Sequence, residues 1–134
     1  MIGLEAAVMC LAMNVYHEAR GEGIRAMMAV AEVTMNRVND HRFPDDVCSV
    51  VQQGYEPGRR DCQFSWYCDG LSDAMREEEW SAVAQLIAID YLTGLETNFT
   101  DGATHYHATY VNPYWADSLT ETTTIDSHIF YRWD

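Results

Sequence analysis

Between Gly3 and Ala19 the chain places Ala6, Met9, Cys10, Met13 and the Val15/Tyr16 pair near helical spacing, and Gly21-Glu22-Gly23 follows as a stop. A first helix is predicted there. A second runs from Gly23 to about Val38, with Ile24, Met27, Met28, Ala31, Thr34, Met35 and Val38 on one face and Asn39-Asp40 closing it. Its methionines read as core filler. From His41 to Leu71 long periodicity is lost and two of the three prolines occur, Pro44 and Pro57, so this stretch is read as loop with short elements. A third helix is expected with Ser72 or Asp73 as its N-cap, Glu77, Glu78 and Glu79 in its first turns, and Trp80, Val83, Ala84, Ile87 and Tyr91 facing inward until Thr93-Gly94. Ala103 to Tyr110 alternates weakly, and Thr122 to Trp133 is rich in Thr, Ile, Phe and Tyr, which fits short strands or extended loops. The pattern is α+β and mainly helical, one domain over residues 1–134, with irregular structure folded across one side to build a cleft.

Charge narrows the partners. Twenty-one Asp and Glu stand against 8 basic residues, all Arg, for a formal net charge of -13. Phosphate binding needs clustered Lys and Arg, so nucleic acid is not an expected partner. An acidic, solvated surface on a monomer is expected instead. The apolar run from Ile2 to Val15 carries Glu5, lacks a basic leader and passes straight into His17-Glu18, so it reads as a core helix and not a signal peptide. No stretch reaches the roughly 18 to 20 apolar residues that span a bilayer. The expectation is a protein with no membrane segment, delivered by a phage system or trimmed of its leader.

Four cysteines are unevenly spaced. Cys62 and Cys68 stand too far apart for a zinc knuckle. Cys10, in the apolar helix, reads as a buried thiol, whereas a bridge is expected among Cys48, Cys62 and Cys68, as suits work outside the cytoplasm.

Three places could carry chemistry. Glu18, near the end of an apolar helix, can be withdrawn from water, which raises a carboxyl pKa as a general acid requires. By position alone the better reading of Glu18 is a helix-terminal surface carboxylate, with Glu22 one turn on as its partner or as a solvated cap. The segment Cys62-Gln63-Phe64-Ser65-Trp66-Tyr67-Cys68-Asp69-Gly70 mixes rings with amide and hydroxyl groups, as sugar-binding sites do, or else is a loop anchored by core aromatics. His105-Tyr106-His107, with His128 later, offers imidazoles for a zinc amidase site. The run His17-Glu18-Ala19-Arg20-Gly21 is not the zinc motif H-E-x-x-H, and no metal or cofactor is expected.

Taken in order, Tyr16-His17-Glu18-Ala19-Arg20-Gly21-Glu22, Asn36-Arg37-Val38, Phe43-Pro44, Val47-Cys48-Ser49-Val50-Val51, Cys62-Gln63-Phe64-Ser65-Trp66, Ala103-Thr104-His105-Tyr106-His107, Asn112-Pro113 and His128-Ile129-Phe130-Tyr131 resemble the SleB-type cell wall hydrolases, a family of spore cortex-lytic and phage wall enzymes. The resemblance spans residues 10 to 132. It implies a lysozyme-like fold, related to goose-type lysozymes and lytic transglycosylases. It also implies Glu18 as the catalytic carboxyl, a sugar cleft lined by Gln63, Phe64, Ser65 and Trp66 with His105, and Tyr106 approaching Glu18 from the opposite wall. Asp126 departs from the pattern, which has Gly there, and so puts the local turn in question.

The implied reaction cuts the bond between N-acetylmuramic acid and N-acetylglucosamine in peptidoglycan glycan strands, which places the work at the cell wall. Hydrolysis needs a second carboxylate, about 5 Å away as nucleophile or about 6.5 to 9.5 Å as base. Glu22, Asp61 and Asp69 are the candidates. A lytic transglycosylase needs none, because the muramyl 6-hydroxyl attacks and leaves a 1,6-anhydro end. That outcome is favoured over a muramidase. The alternatives are a zinc amidase using His105, His107 and His128, and a non-catalytic wall-binding module.

Overall fold

The computed structural model describes residues 3–134, so Ile2, where the apolar N-terminal run begins, lies outside the described residues. Among the described residues there are four α-helices: α1 Leu4–Ala19, α2 Ile24–Val38, the short α3 Val47–Val51 and α4 Glu78–Leu92. Three strands follow, β1 His105–Ala108, β2 Thr120–Ile125 and β3 His128–Arg132, in an antiparallel sheet of order β1-β3-β2. The mixed, mainly helical architecture is the expected one. Among the described residues no helix is long and apolar enough to cross a membrane.

The first two helices form where the periodicity places them, and the turn between them needs glycine. Gly21 and Gly23 have φ of 84° and 108°, in the left-handed region that side chains resist. This turn swings the chain sharply just after Glu18. α2 is then buried on two sides. Met27, Val30 and Ala31 join Leu11, Val15 and Tyr16 of α1 and Ala84, Ile87 and Ala88 of α4 in the main core. Ala26, Ala29 and Val33 pack instead against Ala103, Ile125 and Phe130 beneath the sheet. Small residues on that second side let the sheet approach the helix closely, and a helix enclosed all round is the result.

The strand register sorts the sheet's side chains by face. Tyr106 lies opposite Phe130 and Ala108 opposite His128, so Tyr106, His128 and Phe130 share the face toward α2. His105, His107 and Tyr131 share the other, where Trp115 covers them. Between β2 and β3, Asp126 has φ 49°, the conformation a glycine would supply. Asp tolerates it better than most residues, so the tight turn survives the departure from the family pattern.

Two expectations are corrected. α4 begins at Glu78, with Glu77 as a cap residue making no side-chain cap bond, and not at Ser72 or Asp73. The preceding residues are pinned as a strap by long-range bonds: His17 Nε2 meets the Asp73 carbonyl at 2.8 Å, and the Glu77 N–H donates to the Tyr16 hydroxyl at 3.0 Å. Tertiary contacts override the local capping signal. Cys10 is not a free thiol, because it is bridged to Cys48 and fastens α1 to α3. The second bridge joins Cys62 to Cys68.

Candidate active site

Glu18 lies in the last turn of α1 and lines an open cleft of about 600 Å3. One wall is the strap through Asp69, Leu71 and Ala74; another is formed by Ser65 and Trp66. The carboxyl retains a face toward this cleft while most of its surroundings are protein. From the sheet side, the Tyr106 hydroxyl donates to Glu18 Oε1 at 2.5 Å. Burial raises the Glu18 pKa above its ordinary value of 4.5, and the Tyr106 bond and the Arg37 charge only partly counteract it. The phenol is held well above its usual range, by burial first and then by the neighbouring carboxylate, so it remains a hydrogen-bond donor.

Arg37, which the sequence reading left without a role, is one of the largest fully enclosed side chains. It projects from α2 with its guanidinium between the rings of Phe43 and Phe64, 4.9 and 5.1 Å from their centroids. Nε donates to the Thr104 carbonyl at 2.7 Å and Nη1 to Gln53 Oε1 at 3.4 Å. Burial lowers its pKa to about 10, with Tyr106 and Glu18 opposing, so it is cationic at neutral pH. A fixed positive charge therefore stands behind the Glu18–Tyr106 pair. The clue was an Arg three residues after Thr34 on an otherwise buried helical face.

The residues expected to bind substrate separate into two groups. Glu18, Ser65, Trp66 and Tyr106 converge: Trp66 stacks on His17 with centroids 4.8 Å apart and donates from Nε1 to Asn14 Oδ1 at 2.9 Å. Phe64 is instead 3% exposed, beneath Arg37 and Tyr106, so no sugar can stack on it. Gln63 is exposed but is not among the residues lining the Glu18 cleft. His105 points to the sheet's other face, packed between Phe43 and Trp115, and burial with Arg37 and Arg42 nearby pushes its pKa down to about 4. Strand alternation explains the separation: adjacent residues His105 and Tyr106 cannot face the same way.

The histidines do not form a metal site. His128 lies on the inner face, whereas both ring nitrogens of His107 on the outer face are engaged, Nδ1 by the Ala108 carbonyl and Nε2 by the Tyr131 hydroxyl, each at 2.7 Å. Among the described residues no three His, Cys, Asp or Glu side chains gather as metal ligands. The donor set does not fit the zinc amidase alternative.

The second-carboxylate candidates are also placed. Asp61 is exposed and paired with Arg59. Glu22 Oε1 accepts from the Ser127 N–H at 3.1 Å and from its hydroxyl, while Oε2 lies 3.4 Å from His128 Nδ1. Asp69 lines the Glu18 cleft, with Oδ1 accepting from the Leu71 N–H at 2.9 Å. Glu77 lines it too, but is paired with Arg20 at 3.0 Å.

Known proteins are similar to this chain in sequence and in fold. A family described as Cell Wall Hydrolase matches residues 21–131. A spore cortex-lytic enzyme of Halalkalibacterium halodurans is 32% identical over 124 residues, 92% of this chain and 34% of that protein, a span that necessarily takes in Glu18. One of Oceanobacillus iheyensis is 44% identical over 50 residues, 37% of this chain and 17% of that protein. The chain thus spans about a third or less of these relatives' length. Among solved structures, the catalytic domain of the germination-specific lytic transglycosylase SleB from Bacillus anthracis superposes with TM-score 0.71 at 27% identity, covering 94% of this chain and 93% of that one. The catalytic domain of the Bacillus cereus SleB protein gives 0.73 at 27% identity, covering 96% and 91%.

Proposed function

The chain belongs to the cell wall hydrolase family, and from that premise we propose that it cleaves peptidoglycan glycan strands as a lytic transglycosylase, with Glu18 as general acid and then general base. The observation that carries the reading is a cleft carboxyl, raised in pKa by burial, whose hydrogen-bond partner is the hydroxyl of Tyr106. Protonated Glu18 gives its proton to the glycosidic oxygen leaving from N-acetylmuramic acid as the C1–O bond breaks. The resulting carboxylate takes the proton from the muramyl 6-hydroxyl, whose oxygen bonds to C1 and closes the 1,6-anhydro ring. Glu18 ends protonated, ready for another cycle. Tyr106 holds the carboxyl on the sheet side, and Arg37 tempers its basicity from behind. Ser65 and Trp66 belong to the sugar-binding wall.

Transglycosylation is favoured over hydrolysis by the state of the other carboxylates. Glu22, Asp61 and Glu77 are each paired with a partner, and Asp69, the other candidate that lines the cleft, accepts from the Leu71 N–H, so none of these carboxylates is evidently held free to activate water. The naming of one structural relative as a lytic transglycosylase points the same way. Mass spectrometry of muropeptides released from purified sacculi tests the reading. Anhydro ends are expected from the wild-type protein, reducing ends would convert it to a muramidase, and full activity in Glu18→Gln would remove Glu18 from its role.

A further inference from the structure

The two groups that meet at the site come from opposite layers, Glu18 from the end of α1 and Tyr106 from β1, and something must hold those layers in register. One attachment lies at the α1–α2 turn, immediately after Glu18. There Glu22 Oε1 accepts from both the N–H and the hydroxyl of Ser127 in the β2–β3 turn. The carbonyl of Ser127 in turn accepts from the Thr109 N–H at 2.9 Å, which ties the end of β1 to the same knot. Asp126 Oδ2 lies just 3.7 Å from where a Cβ on Gly23 would be, so the two turns are in direct contact.

His128 fills the space between this knot and the catalytic pair. Its side chain is 8% exposed, and its ring lies edge-on to Tyr106 with centroids 5.2 Å apart. On another side it adjoins the Glu18 backbone carbonyl. Nδ1 is buried without a well-formed hydrogen bond, and the charged group facing it is the Glu22 carboxylate, 3.4 Å away. A buried polar atom left unpaired costs stability, and protein interiors seldom tolerate one without a function. Packing alone would be served better by a phenylalanine. Asp126 is the remaining charged group facing the imidazole.

We propose that Glu22 and His128 are positioning residues that set the Tyr106–Glu18 hydrogen bond: Glu22 fixes the hairpin to the helix turn, and the His128 ring braces Tyr106 against the end of α1. Neither touches substrate. This inference rests on Glu18 and Tyr106 being the working pair, and it adds the reason why the second Glu of Glu18-Ala19-Arg20-Gly21-Glu22 is a carboxylate.

The test is a double-mutant cycle read in kcat and KM on purified sacculi, with thermal melts to verify folding. His128→Phe and Glu22→Gln are each made in the wild type and in Tyr106→Phe. The glutamine keeps an acceptor for Ser127 and removes the charge facing His128. Each single variant should lose between about tenfold and a hundredfold in kcat, the scale of small misplacements in a reacting constellation, with KM within about twofold. The same changes on Tyr106→Phe should cost little more, because the bond they serve is already gone. His128→Gln, which restores a polar atom toward Glu22, should recover part of the loss. Equal losses on both backgrounds, or a loss confined to KM, would overturn the proposal. If His128→Phe does not fold, the Glu22→Gln cycle decides alone. Glu18→Gln run alongside separates the two readings: full activity there removes the functional proposal, whereas an inactive Glu18→Gln with an additive cycle removes only this one.

Discussion

Trp66 and Asn14 are joined behind the cleft wall, the indole Nε1 donating to the amide oxygen at 2.9 Å about one helical turn before Glu18 on α1. Asn14 is completely enclosed and passes the restraint on, its own amide nitrogen donating to Thr34 Oγ1 of α2 at 3.1 Å. A bond from the wall of the cleft thus reaches the helix that carries the acid. Replacing Trp66 with Phe keeps most of the ring and leaves Asn14 Oδ1 unpaired in the interior, a cost of about 1–3 kcal/mol. Urea denaturation should show this loss. Trp66→Phe/Asn14→Leu, which removes both partners, should recover part of it.

The raised pKa of Glu18 is also a statement about stability. Its folded value lies above the unfolded value of 4.5, so the native state binds the proton more tightly and stability falls as pH rises through that interval. The penalty for holding a buried carboxylate is fully present above the folded pKa and absent below the unfolded one. Glu18→Gln should therefore melt at a higher temperature than the wild type at pH 7, with the difference vanishing below about pH 4.5. Melting curves across pH check this directly. Equal shifts at both extremes would mean the carboxyl is not desolvated.

Much of the helical frame is legible in the sequence because it depends on local pattern, whereas Glu18 is singled out by the family resemblance and not by its position on the helix. Periodic apolar positions and the Gly21 to Gly23 stop place α1 and α2 to within a residue or two, and Glu18 follows from the motif it begins. What was not legible depends on contacts remote in sequence. The start of α4 was misplaced because Tyr16 and His17, some 60 residues earlier, hold the strap extended. Arg37 has no legible role in the sequence, since a buried cation looks like any helical Arg until Phe43, Phe64 and Thr104 enclose it. The resemblance puts Phe64 and His105 in the cleft with Trp66 and Tyr106, but a matching motif says nothing about which face each neighbour takes.

The two bridges should differ in what they protect. Cys10–Cys48 closes a loop of 38 residues and links α1 to α3, so its removal by Cys10→Ser/Cys48→Ser should cost about 4 kcal/mol in the chain-entropy picture. Cys62–Cys68 closes only 6 residues, with a cost of about 2 kcal/mol, yet it brackets Phe64, Ser65 and Trp66 at the cleft. Cys62→Ser/Cys68→Ser should therefore show the smaller fall in denaturation midpoint and the larger rise in KM. Intact mass before and after reduction verifies both bridges.

The turn at Asp126 offers the most local test. Its φ of 49° is strained for a side chain with a Cβ, and the cost is roughly 1 to 2 kcal/mol for an ordinary residue and less for Asp. Asp126→Gly should be neutral to stabilising, because it relieves that strain and returns the residue the family pattern has. Asp126→Val, β-branched and without a polar group to bond the local backbone, should lose about 2 kcal/mol. Since Ser127 next door anchors Glu22, the valine should also lower kcat, and by more than the glycine does. Thermal melts paired with sacculus assays separate the two effects: a valine variant that melts early but turns over normally would show that the β2–β3 turn does not govern the catalytic pair.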